Sequence, residues 1–95
     1  MEKNELAKMK RRVKTLQKQL GRLGLVMRGS VVGIGTRNKQ PYFSLNQNKR
    51  THLIYLGKKR EDKAREYSRN YKKLLEIVEE MTMINMILLK ENACL

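Results

Sequence analysis

One cysteine, one histidine, one proline, one phenylalanine and no tryptophan in 95 residues remove several chemistries at once. Cys94 has no partner, so an intramolecular disulfide is impossible and nothing points to an oxidising compartment; a cytoplasmic protein is expected. His52 alone cannot supply a two-histidine metal site, and it lies far from Cys94 in sequence, which leaves no paired Cys–His nucleophile. Acids are scarce: Glu2 and Glu5 aside, all fall in the second of two expected helices, where Glu76, Glu79 and Glu80 read as a solvated face and no pair stands out as acid and base. Gly33-Ile34-Gly35 lacks the third glycine of a dinucleotide fingerprint. Gly57-Lys58-Lys59 lacks the upstream glycine and the hydroxyl residue of a phosphate loop. The expectation is a non-enzymatic protein with no metal and no cofactor.

Long apolar runs are also missing. The longest candidate, Leu74 to Leu89, is broken by three glutamates and falls short of the ~20 residues a bilayer span needs. Residues 1–5 carry charges of both signs with no apolar core behind them, so neither a signal peptide nor a membrane partner is expected. Peripheral membrane binding by the basic first helix is the remaining membrane reading, although the helix's apolar seam has no aromatic residue.

What the chain has in abundance is positive charge: 22 Lys plus Arg against 9 Asp plus Glu, a net +13. Such an excess repels itself at neutral pH unless a polyanion neutralises it. Residues 1–24 hold eight basic and two acidic residues, residues 25–57 five basic and none acidic, and residues 58–73 eight basic and three acidic. Residues 74–95 reverse the sign, with one basic and four acidic residues, where the chain is most apolar. Binding and assembly therefore map to different regions.

Leu6, Met9, Val13, Leu16, Leu20 and Leu23 step by three and four, a heptad seam that predicts a helix from about Asn4 to Leu20, with Gly21 and Gly24 marking its end. Between 25 and 57, Val31–Ile34, Tyr42–Leu45 and Thr51–Leu56 read as strands, the last two joined as a hairpin through Asn46-Gln47-Asn48-Lys49. A second helix is expected from about Lys59 to Leu89, its seam running Tyr67, Tyr71, Leu74, Val78, Met81, Asn85 and Leu88. The expected fold is α+β: an N-terminal helix, a small three-stranded antiparallel sheet and a long C-terminal helix in a single domain, 1–95. The apolar face of the second helix is too wide for one short partner: the first helix and the back of the sheet can cover part of it, and its far end, Met81 to Leu89, extends past them, so Val78, Met81, Ile84, Asn85 and Leu88 are expected to pair chains as a homo-oligomer. Asn85 at an a-type position either fixes register or lies exposed near a fraying end.

The binding reading rests on Arg28, Arg37, Lys39, Lys49 and Arg50, which have no acid among them. Tyr42 and Tyr55 interleave with these cations and either stack on unpaired bases or belong to the core. Lys58, Lys59 and Arg60 oppose the dipole at the start of the second helix, a placement that suits an arriving phosphate or a solvated charge run. Lys10, Arg11, Arg12 and Lys14 widen the footprint from the first helix. The partner expected is DNA or RNA, held mainly by phosphate contacts. The competing reading is a coiled-coil interaction protein that binds an acidic protein.

From Val26 to Met81 the chain resembles an uncharacterised family of small bacterial and archaeal proteins often encoded near transposases. The resemblance lies in Met27-Arg28-Gly29-Ser30-Val31-Val32, Pro41-Tyr42-Phe43, the strand ending Tyr55-Leu56, and Glu66 to Met81 with Asn70-Tyr71 and Leu74-Leu75. It implies an accessory or regulatory factor of a mobile genetic element, with a protein partner from the same element. Members of that family commonly carry a cysteine cluster between the Arg-Gly-Ser and Pro-aromatic segments. Here Gly33 to Gln40 has no cysteine, so no metal role follows. Tyr42 to Asn70 is also similar in architecture to the arm-type DNA-binding domains of phage and transposon integrases, in which the sheet enters the major groove.

Overall fold

The computed structural model describes residues 1–95. It contains α1 (Lys3–Gly21), β1 (Ser30–Ile34), β2 (Gln40–Gln47), β3 (Arg50–Tyr55) and α2 (Gly57–Lys90), the expected α+β order. The strands form one antiparallel meander, β1-β2-β3. The chain divides into two compact units, one made of Met1–Leu23 with Lys73–Leu95 and the other of Gly24–Lys72.

In the first unit α1 lies antiparallel to the second half of α2. The Met1 amino group is 3.8 Å from Glu91, Arg12 forks onto the Glu80 carboxylate, and Gln19, Arg22 and Leu23 line one groove with Lys73 and Glu76. The α1 sequence favours a helix because it is rich in Leu, Lys, Arg and Gln, and Glu5 and Lys18 sit where the macrodipole favours them. Its seam is used inside the chain: Val13 and Leu16 are buried, and Leu6, Met9, Leu20 and Leu23 are half-buried. Ile77 and Leu88 are buried on the facing side of α2. The helix ends differently from expectation. Gly21 and Gly24 keep negative φ, Arg22 closes the turn in right-handed conformation, and its N–H donates to the Gln19 carbonyl at 3.1 Å.

Part of the expected oligomer face is covered within the chain. Leu88 is 0 % exposed in the single chain, and Met81 and Ile84 are half-buried on the same side of α2, which leaves only Val78 and Asn85 of that set exposed. A heptad seam specifies a partner helix, and α1 of the same chain already is that partner.

In the second unit the sheet packs one face on the first half of α2. Phe43, Leu56 and Ala64 form the buried centre, with Met27, Val31 and Leu45 against it. Strand alternation sends Val31 and Phe43, which are paired across the sheet, to this face, while Ile54, the partner of Phe43 on β3, points the same way but stays 54 % exposed. Three hydrogen bonds tie the incoming chain to α2: Met27 N–H to the Tyr67 carbonyl at 3.2 Å, Ser68 Oγ to the Gly29 carbonyl at 3.0 Å, and Asn70 Nδ2 to the Leu25 carbonyl at 2.9 Å. The β2–β3 turn is shorter than expected. Asn46 and Gln47 are strand, and Asn48 and Lys49 alone turn, with φ of 52° and 63°, the two positive values that a type I′ hairpin demands.

Candidate nucleic-acid interface

The sheet face turned away from α2 carries the candidate site. Register pairs Val32 with Tyr42 and Tyr42 with Tyr55, and Ser44 with Leu53, so these side chains share one surface. Tyr42 and Tyr55 meet edge to face with ring centroids 5.4 Å apart, and the Tyr55 hydroxyl reaches Gln40 Oε1 at 3.4 Å. Neither tyrosine belongs to the buried centre: Tyr42 is half-buried and Tyr55 is 46 % exposed. Leu53 and Ile34 are also exposed, leaving an apolar and aromatic surface in solvent.

Basic residues stand at both ends of this surface. At one end lie Arg37 and Lys39 in the β1–β2 loop, together with Lys58 and Lys59 at the start of α2, which the Leu56 N–H bond to the Pro41 carbonyl at 3.0 Å brings to the same edge. At the other end lie Lys49 in the hairpin turn and Arg28, whose Nη1 donates to the Asn46 carbonyl at 3.1 Å. All six are exposed. None of them is in an ion pair.

The other expected contacts are not on this face of the sheet. Alternation turns Arg50 to the α2 side of the sheet, opposite Tyr55. Arg60 folds back, its Nε donating to the Leu56 carbonyl at 2.9 Å. Arg12 is engaged by Glu80 in the other unit, an interaction that raises the guanidinium pKa and lowers that of the carboxylate, chiefly through the hydrogen bond, with charge acting in the same direction and desolvation against it. Its neighbours Arg11 and Lys14 are exposed on α1 and Lys10 is half-buried. His52 is an exposed strand residue.

A further basic patch was not singled out from sequence. Arg65, Arg69 and Lys72 line a shallow cleft of about 290 Å³ beside edge strand β1, with Ser30, Val31 and Ser68. Arg65 bonds Glu61, whereas Arg69 and Lys72 have no acidic partner. Their spacing of four and three along one helix face is the signal that marks them. No group of His, Cys, Asp and Glu side chains is arranged to hold a metal ion, and no helix is long and apolar enough to cross a membrane.

Comparison of the chain with protein-family models, with curated proteins and with solved structures finds no match.

Proposed function

We propose that this protein binds nucleic acid through the solvent-facing side of its sheet, without catalysing a reaction. The observation that carries the reading is the exposed Tyr42–Tyr55 pair bracketed at both ends by unpaired cations, in a stretch of chain, 25–57, that has no acid. Lys and Arg at the ends neutralise phosphates, and the release of condensed counterions drives association. The tyrosines add a stacking platform for unpaired bases, which every base satisfies through its π face. Phosphate contacts and stacking hold a strand in place with little reading of sequence, so sequence preference is weak. An accessory role in a mobile genetic element, alongside a protein partner from that element, fits a factor of this kind.

The test is a comparison of single strands with duplex. An unstructured oligonucleotide binds more tightly than a duplex of the same length if the tyrosine face is the platform. Tyr55→Ala then costs about tenfold in affinity for the single strand and little for the duplex. Equal loss on both substrates removes the stacking role. An acidic protein is the competing occupant of the same cations. Nuclease-sensitive absorbance at 260 nm in the purified protein supports nucleic acid, whereas a stoichiometric acidic protein with a clean protein spectrum supports the competitor.

A further inference from the structure

The second half of α2 is apolar on two opposite sides. One side, with Ile77 and Leu88, is buried in the unit formed with α1. At 3.6 residues per turn, Leu75, Val78, Thr82, Met86 and Leu89 fall together on the other side. The four apolar members are between 46 and 62 % exposed. The α1 partner cannot cover them, because it occupies the far face of the same helix.

We infer that this stripe is a two-fold interface between copies of the chain, with two α2 helices antiparallel and crossing at Thr82. The spacing is palindromic. From Thr82 the stripe steps back by four to Val78 and three more to Leu75, and forward by four to Met86 and three more to Leu89. A two-fold axis at Thr82 therefore sets Leu75 on Leu89 of the other copy, Val78 on its Met86, and Thr82 on its own counterpart, so that apolar side chains meet apolar side chains on either side of the central Thr82 pair. A parallel pair or an unrelated helix has no need of that symmetry.

Two further observations favour a second copy as the occupant. Thr82 Oγ1 already donates to the Val78 carbonyl at 2.7 Å, so its hydroxyl is satisfied before the axis is dehydrated. The second half of α2 is the acidic part of a strongly basic chain, so assembly there brings together the surfaces that repel least. The interface uses residues outside the proposed nucleic-acid site and stands whether or not that site binds nucleic acid.

The experiment is cysteine cross-linking in the full chain with Cys94→Ser, since Cys94 is exposed and would otherwise react. Thr82→Cys oxidises to a covalent dimer. Leu75→Cys does not, because its two copies are separated by 14 residues of helix, about 21 Å. At about 50 µM the unmodified chain sediments with twice the monomer mass, and Val78→Asp with Met86→Asp returns it to monomer with unchanged helix content, both positions being exposed. A monomer at all concentrations, equal cross-linking at Leu75→Cys, or a dimer mass unmoved by the aspartates would overturn the inference; a heterologous protein partner would show as the first of these.

Discussion

Gly29 has a φ of 134°, and a Cβ built there would stand 2.6 Å from the Ser44 carbonyl and 2.7 Å from the Phe43 ring. Both the backbone conformation and the space require glycine, so Gly29→Ala is expected to destabilise the β-containing unit by about 2 kcal/mol or more. Urea unfolding monitored by tyrosine fluorescence checks it, and a change under about 0.5 kcal/mol would contradict the described entry into β1. Tyr55 behaves in the opposite way. Its ring is half in solvent, so Tyr55→Ala lowers affinity for single strands while leaving the melting temperature within a few degrees. Glu80 gives a pH dependence. Arg12 holds its carboxylate below the ordinary range by hydrogen bonding and charge, so the pair's contribution is present above the pH at which an unfolded glutamate titrates, and is lost as pH falls through the lower folded value. Both groups are solvent-exposed and the effect is small. Arg12→Ala should flatten the acid limb of a stability profile below about pH 5 without changing the neutral plateau otherwise than by a constant.

Among the elements, the helices and strands were legible because their periodicities are clean: three-and-four steps in α1 and α2, and alternation around Phe43. Val13 and Leu16 are the buried members of the very seam that predicts α1. What periodicity does not contain is the identity of the partner. Spacing lets α1 cover part of the α2 face and leaves Met81 to Leu89 beyond its end, whereas α1 runs along α2 as far as Glu91 and Leu88 is buried within the chain. The hairpin shows the same limit on a smaller scale. Asn46-Gln47-Asn48-Lys49 has turn residues throughout, but only the last two take positive φ, since pairing of Gln47 with Arg50 satisfies two more backbone groups. The candidate site was legible in its charges and its two tyrosines. The sidedness of Arg50, the folding back of Arg60 and the capture of Arg12 by Glu80 depend on contacts that spacing does not encode. Core substitutions separate the two units. Phe43→Ala should cost about 3–4 kcal/mol in the β-containing unit, and Leu16→Ala about 2–4 kcal/mol in the helical one. Hydrogen exchange resolved along the chain checks both, with protection lost first in the unit that carries the substitution.

For the molecule as a whole, the decisive quantity is the charge of +13 and where it lies. Residues 24–72, the β-containing unit, hold twelve basic and three acidic residues, a net +9. A surface of that kind attracts any polyanion, so binding alone says little. The dependence of binding on salt says how many phosphates are engaged. Six exposed and unpaired cations bracket the tyrosine face, and if about six phosphates of a duplex are neutralised, the slope of log affinity against log salt is about −5. Charge reversal at Arg37, Lys39, Lys58 and Lys59 should bring that slope toward about −2 while preserving the fold, since all four are exposed.

Fluorescence anisotropy of a labelled oligonucleotide, titrated with the protein over a series of salt concentrations, tests the central claim most directly. The predicted result is tight binding at low ionic strength that weakens with a slope near −5 on duplex DNA. A slope shallower than about −2, or no binding of DNA or RNA at low salt, would contradict it.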